Sequence, residues 1–283
     1  MKFFKMQGTG NDFALIDVRQ EGERDWPAVA RQICDRHFGV GADGILLVKD
    51  PTSPTVAADY RMVMYNPDGT EAEMCGNGIR CFAKYLFDSG ALSEPAAKIE
   101  TGAGVLAISL EVEGGVARRA TVDMGAPIFA PDRIPVRAEG AEVVDLPLTV
   151  DEVSLALTAV SMGNPHAVHF LADEPRDFPL ERIGPRVEHA EQFPSRVNFE
   201  IARLTAPGQL DVRVWERGAG ITLACGTGAC AVFAAARRKG LVNGAAVIRL
   251  PGGELEMRSD EHGHILMTGP AELVFAGEWP GKE

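Results

Sequence analysis

The feature that most constrains this chain is a short segment that it carries twice. Met74-Cys75-Gly76-Asn77-Gly78-Ile79-Arg80-Cys81 recurs as Ala224-Cys225-Gly226-Thr227-Gly228-Ala229-Cys230, with Cys75 and Cys225 150 residues apart and both glycine pairs at that same offset. Each copy sets a cysteine before two glycines and then an apolar run, the pattern of a thiol at a helix N-terminus. The free N–H groups of a first turn and the positive end of the helix dipole stabilise an anion there, thiolate or carboxylate alike. A turn followed by a core cysteine would explain one copy. It does not explain two in register.

The repeat extends beyond these segments. Asp211-Val212-Arg213-Val214-Trp215 follows Arg61-Met62-Val63-Met64-Tyr65 at the offset of 150, so Glu216-Arg217-Gly218-Ala219-Gly220 takes the place of Asn66-Pro67-Asp68-Gly69-Thr70. Asn164 after Gly163 answers Asn11 after Gly10, and the stretch from Gly253 echoes that from Gly104. Two copies are too few for a solenoid, and 283 residues give each copy room for its own core. The expected class is α/β (α+β): two lobes related by a pseudo-two-fold, each a strand-rich layer or barrel wrapped around a central helix. The lobes are expected at residues 1–124 with 271–283, carrying Cys75, and at residues 125–270, carrying Cys225.

Apolar patterning predicts strands at 3–6, 13–18, 45–48, 60–65, 105–112, 117–124, 143–148 and 155–161, with a last one at 273–275 returning to the first lobe. Asp25 reads as an N-cap, with Pro27 in the first turn of a helix running to Phe38-Gly39 and enclosing Cys34 as core. A second helix follows Cys75 and stops at Asp88-Ser89-Gly90. The helix after Cys225 has no charge from Ala229 to Ala236, which predicts burial all round, and Arg237, Arg238, Lys239 and Gly240 suit its end.

A net charge of −12 argues against a nucleic-acid surface. Met1 to Gln7 turns polar too soon for a signal peptide, and no apolar run approaches a membrane span. Five cysteines, an odd number without a disulfide framework, favour a reducing, cytoplasmic setting.

If both helices aim their N-termini at one cleft, two thiols flank whatever small molecule lies there. A carboxylate held by the N–H groups of Gly76, Asn77, Gly226 and Thr227 would present its α-carbon to both sulfurs, the geometry of racemisation or epimerisation. One thiolate removes the α-proton and the opposite thiol returns another, so their pKa values must be pushed apart. His166 and Glu216 are candidates to tune the thiols, whose free pKa lies near ~8.5, and Arg217 to clamp a carboxylate in bidentate fashion. Asn11, Asn66, Asn164 and Asn198 sit at strand ends or turns, where asparagine serves backbone geometry anyway. Their interest lies in the pairing by repeat of Asn11 with Asn164 and of Asn66 with Glu216. His37, His169, His189, His262 and His264 show no ligand spacing. Cys81 and Cys230 fall more than a turn beyond their partners and face elsewhere.

The set Gly8-Thr9-Gly10-Asn11-Asp12-Phe13, Tyr65-Asn66-Pro67-Asp68-Gly69, the Cys75 segment, Met162-Gly163-Asn164-Pro165-His166 and Glu216-Arg217-Gly218-Ala219-Gly220 through the Cys225 segment closely resembles the diaminopimelate epimerase family, in order and over nearly the whole chain. That resemblance implies an enzyme free of pyridoxal phosphate and metal, interconverting LL- and meso-diaminopimelate for lysine and cell-wall precursors, and acting as a homodimer of mirrored α/β lobes. It makes Cys75 and Cys225 the acid/base pair, with His166 and Glu216 as their tuners. Asn11, Asn66, Asn77, Asn164, Asn198, Glu216 and Arg217 then hold substrate, Gly76, Gly226 and Thr227 give backbone donors, and Thr227 adds a hydroxyl. Gly44 departs from members with glutamine there, so any side-chain contact from that position is missing or replaced by water. Proline and hydroxyproline racemases also pair Cys-Gly motifs but do not fit the Glu216 to Gly220 stretch, and the phenazine-pathway isomerases lack the paired thiols. A metal or redox module built from Cys75, Cys81, Cys225 and Cys230 is the rival of a different class, with spacings wider than usual zinc pairs. Pyridoxal phosphate catalysis is the less favoured further rival.

Overall fold

The computed structural model describes residues 1–22 and 24–281. The chain divides into two compact units, Met1–Asp123 with the segment from Thr268 onward, and Met124–Met267.

In the first unit β1 (Lys2–Gly8) and β2 (Asn11–Asp17) form a hairpin, followed by α1 (Trp26–Ile33), β3 (Gly44–Lys49), β4 (Tyr60–Tyr65), β5 (Glu71–Ala72), α2 (Gly76–Asp88), β6 (Ala96–Thr101), β7 (Gly104–Glu113) and β8 (Val116–Asp123). β2 runs parallel to β3, β3 antiparallel to β4 and β4 parallel to β6, and β6, β7 and β8 form a meander. The terminal strand Glu272–Glu278 pairs antiparallel with β1.

The second unit repeats the plan with β9 (Leu146–Val150), β10 (Val153–Ser161), β11 (Pro165–Phe170), α3 (Leu180–Glu188), β12 (Asn198–Ala206), β13 (Gln209–Glu216), β14 (Gly220–Thr222), α4 (Gly226–Arg238), β15 (Ala245–Leu250) and β16 (Gly253–Ser259), and along β17 (Ile265–Pro270) the chain passes back to the first unit at Thr268. β11–β12 and β13–β15 are parallel, as β2–β3 and β4–β6 are. Register makes the correspondence residue by residue. Phe13 lies beside Gly44 as His166 lies beside Asn198, and Leu46 faces Met64 as Glu200 faces Val214. Phe13, Gly44, Leu46, Asn66 and Asn77 are therefore the counterparts of His166, Asn198, Glu200, Glu216 and Thr227.

Each unit buries its second helix, and a further apolar cluster gathers on α1 (Trp26, Ala30 and Ile33) in one and on α3 (Leu180, Ile183 and Val187) in the other. Ile79, Phe82, Ala83 and Leu86 of α2 are fully buried, and α4 is buried from Ala229 to Ala236. Each such leucine or phenylalanine contributes roughly 1.5–3 kcal/mol. Gly90 and Gly240, at φ 77° and 71°, let the chain turn off both helices in the left-handed region.

Three expectations change. The first helix ends at Ile33, not near Phe38, and Cys34 is its C-cap, still buried. Asp35 Oδ1 accepts from the N–H of His37 and of Phe38, while Val40 and Gly41 both donate to Ile33 O, so the chain folds back at once. β9 begins at Leu146, later than residue 143, and Val143 instead accepts from Ala159 N–H. The third change is α3, which the sequence did not announce because it starts after Pro179 and contains Gly184 and Pro185. A Cβ on Gly184 would stand 2.6 Å from the Trp215 ring, so only glycine lets this helix approach β13.

Candidate active site

In the first unit Cys75 is the N-cap of α2, with extended backbone at φ −141° and ψ 117°, and its sulfur accepts from Gly78 N–H at 3.4 Å. The thiol reaches Asn11 Oδ1 at 3.7 Å, and Asn77 Nδ2 donates to the same oxygen at 3.2 Å. Asn11 is fixed from behind, since its Nδ2 donates to Asp43 Oδ2 at 2.7 Å. Arg36 bridges Asp43 and Asp12, each at 2.7 Å, and Lys5 also pairs with Asp12. Burial alone would raise the Asp12 carboxyl, but Arg36 and Lys5 outweigh it and hold the group below its ordinary value.

Fully buried Arg80 lies under the first turn of α2 and donates to Asn77 Oδ1 at 3.0 Å, Gly76 O at 3.0 Å, Thr9 Oγ1 at 3.2 Å and Pro270 O at 3.2 Å. Asn66 is partly buried, and its Nδ2 donates to Thr70 Oγ1. A Cβ on Gly44 would stand 2.8 Å from Tyr65 O, so a side chain such as glutamine has no room there.

In the second unit Cys225 caps α4 in the same way, at φ −122° and ψ 115°, accepting from Gly228 N–H at 3.4 Å. Its surroundings differ. Thr227 Oγ1 lies 3.5 Å from the sulfur and takes a hydrogen bond from Asn164 Nδ2 at 3.3 Å. Asn164 Oδ1 meets His166 Nε2 at 2.9 Å, and His166 Nδ1 meets Glu200 Oε1 at 2.7 Å. Glu216 takes a hydrogen bond from Thr222 at 2.5 Å. Burial pushes the Glu216 carboxyl up, with the Thr222 bond opposing and the Glu200 charge adding. Burial, then the Glu216 and Glu200 carboxylates, push the Cys225 thiol well above 9.0, against the pull of Thr227 and Gly228 N–H.

The loop after β13 is held by Glu188 at the end of α3. Glu188 accepts from Trp215 Nε1 at 2.8 Å and from Gly218 N–H at 3.1 Å. Asn198 accepts from Arg217 N–H and donates to Pro165 O, each at 2.9 Å, which ties Arg217 to the strand bearing His166. The Arg217 guanidinium is exposed and donates to Ser195 O at 3.0 Å.

The first unit thus gathers Cys75, Asn11, Gly76 and Asn77, with Asn66 on the neighbouring turn. The second gathers Cys225, His166, Asn164, Glu216, Gly226 and Thr227, with Asn198 and Arg217 joined through β12. Sequence reasoning passed over Arg80, Asp43, Glu188 and Glu200. For Glu200 a signal existed, because aligning the repeats sets a glutamate opposite Leu46. Cys81 and Cys230 are buried inside their helices, and burial pushes the Cys81 thiol up to about 12. Among the described residues no three His, Cys, Asp or Glu side chains gather as a metal site, and no helix is long and apolar enough to cross a membrane.

This strand-rich fold is found in solved structures. A probable proline racemase from Agrobacterium radiobacter matches with a TM-score of 0.73 at 14% identity, over 98% of this chain and 92% of that one. A phenazine biosynthesis protein of the PhzF family from Bacillus anthracis matches at 0.69 and 19%, over 98% of each. The architecture is thus the diaminopimelate epimerase-like fold, here with a cysteine-capped helix in each unit. The diaminopimelate epimerase family model matches residues 3–130 and 158–274. Diaminopimelate epimerases of Acetivibrio thermocellus and Desulfitobacterium hafniense are 45% and 46% identical, over 98% of this chain and 98% and 97% of theirs. The chain belongs to the diaminopimelate epimerase family.

Proposed function

We propose that this chain interconverts LL- and meso-diaminopimelate by proton transfer at one α-carbon, with Cys75 and Cys225 as the two acid/base groups. Inversion at carbon needs one group to remove a proton and another to return one from the other face. The observation that carries the reading is that the same thiol cap is built twice, each sulfur 3.4 Å from a helical N–H. In either direction one cysteine starts as thiolate and the other as thiol. The α-proton beside a carboxylate is very weakly acidic, so donors to the developing enediolate carry much of the rate. The N–H groups of Gly76, Asn77, Gly226 and Thr227 are assigned that task.

His166 and Glu216 set the proton affinities of the thiols. Asn11, Asn66, Asn77, Asn164 and Asn198 hold the polar groups of the substrate, Glu216 accepts from an ammonium, and Arg217 offers a planar fork to the distal carboxylate. Proline lacks that distal group and would leave Arg217 unanswered, which sets the reading apart from a proline racemase. The reaction so written draws on neither pyridoxal phosphate nor a metal. We take the enzyme to be cytoplasmic and to work as a homodimer. The family resemblance supports the dimer, and Leu273, Val274 and Phe275 on the terminal strand offer an exposed apolar patch.

The test is turnover of LL-diaminopimelate in deuterium oxide with chelator present. Newly formed meso product should carry one solvent deuterium at the inverted carbon. Product formed without deuterium, or activity that chelator removes, would overturn the mechanism.

A further inference from the structure

The duplicated plan contains its own control. Where the first unit packs Phe13 and Leu46, the second packs His166 and Glu200, and all four are fully buried. This architecture therefore accepts two hydrocarbons at that place, and the fold does not require an imidazole–carboxylate pair. Burying such a pair is costly unless its atoms are all satisfied. Here Glu200 Oε2 has no hydrogen-bond partner among the described residues. Retaining a costly pair where an apolar one would serve points to work at the site.

The geometry says what work. From Glu200 Oε1 the contacts run to His166 Nδ1 at 2.7 Å, from His166 Nε2 to Asn164 Oδ1 at 2.9 Å, from Asn164 Nδ2 to Thr227 Oγ1 at 3.3 Å, and from Thr227 to Cys225 Sγ at 3.5 Å. Carboxylate and amide oxygens both accept, so a hydrogen on each ring nitrogen completes the two contacts and the ring is fixed with Nε2 toward Asn164. Space for the carboxylate comes from the helix itself. A Cβ on Gly228 would stand 2.7 Å from Glu200 Oε1, whereas the counterpart Gly78 faces a methyl group of Leu46 at 3.1 Å.

We propose that Glu200 is a positioning residue of the Cys225 half-site: it fixes the His166 ring and, through Asn164 and Thr227, the orientation of the hydroxyl at the Cys225 sulfur. The proposal rests on the epimerase reading above and adds to it a residue that acts only through others.

The test uses the full chain with Glu200→Leu, which installs the first unit's residue, and Glu200→Gln, which keeps an acceptor and removes the charge. With folding checked by circular dichroism, Glu200→Leu should lower kcat by about 100-fold and Glu200→Gln by about tenfold, with KM within about threefold, as expected for a misplaced group that does not bind substrate. A second readout needs no substrate: the pH profile of Cys225 alkylation by iodoacetamide, followed by peptide mapping. The Glu200 carboxylate helps to raise the Cys225 thiol, so the Glu200→Gln profile should move to lower pH. Wild-type kcat in folded Glu200→Leu protein, or an unmoved alkylation profile in Glu200→Gln, would overturn the proposal. A wild-type chain that fails to turn over diaminopimelate while the Glu200→Gln profile still moves would sink the assigned reaction and leave the link from Glu200 to Cys225 standing.

Discussion

Cys75 and Cys225 share one backbone and live in different electrostatics. Both cap 13-residue helices from extended backbone, and both sulfurs accept a helical N–H at 3.4 Å. The dipole and N–H support for a thiolate is therefore matched. Around Cys75, which is partly exposed, stand amides and the Arg80 guanidinium behind Asn77. Around buried Cys225 stand Glu216 and Glu200, whose charges add to burial in pushing that thiol up. The repeat thus duplicated the anion cradle and left the charges beneath it free to diverge. The proposed reaction, which needs one thiolate and one thiol at once, would be served by such a divergence.

The largest effect should come from breaking either side. Cys75→Ala and Cys225→Ala should each lower epimerisation by at least about 1,000-fold, because each removes the acid in one direction and the base in the other. Rates in both directions, measured from the LL and the meso substrate, check this. A variant that keeps a tenth of the rate in either direction would mean that its cysteine is not one of the two groups.

What the sequence made legible follows the same division. The two caps and both glycine stops were readable because the offset of 150 is unbroken from the strand before each cysteine through the whole helix. Fold class followed from that repeat. α1 was overrun because its end is set by the Asp35 side chain catching two N–H groups, which apolar spacing does not register. α3 was missed because Gly184 and Pro185, poor helix formers, are accommodated there by close packing on Trp215. Of the candidate site, the residues of the repeated segments were legible in the sequence. Those acting from behind were not: Arg80 reads as the polar face of a helix, and Glu200 as one charge in an apolar strand until His166, 34 residues earlier, is seen against it.

A middle-sized effect on stability should separate the two helix starts. At Arg80 the second unit has Cys230, so only α2 depends on a buried guanidinium. Arg80→Leu removes the donors to Asn77 Oδ1 and Gly76 O. A hydrogen bond from a charged group contributes about 1.5–3 kcal/mol. Denaturant unfolding should show a loss of that order. Cys230→Ala should cost less, roughly 1 kcal/mol or below, as a small apolar truncation. Equal losses would mean that Arg80 is a packing residue and not the hub of its cradle.

The smallest effect tests whether the second unit can be made electrostatically like the first. Glu216 stands where the first unit has the neutral amide Asn66, and burial, first among its influences, raises its carboxyl above the ordinary 4.5. A carboxyl raised in the folded state binds its proton more tightly there than in the unfolded chain. Its stabilising contribution is therefore complete below the unfolded value and is lost as pH climbs through the folded one. Near pH 7 the ionised form burdens the fold. Glu216→Gln keeps the shape, removes the charge, and should raise Tm modestly at pH 7, with the gain shrinking as pH falls toward 4. The same change removes one of the carboxylates that add to burial in raising the Cys225 thiol, so its alkylation should begin at lower pH. Thermal melts across pH 4 to 8 and mapped alkylation read the two effects separately. A Tm gain that does not depend on pH would show that the substitution acts through packing, and the contrast between Asn66 and Glu216 would then be one of shape and not of charge.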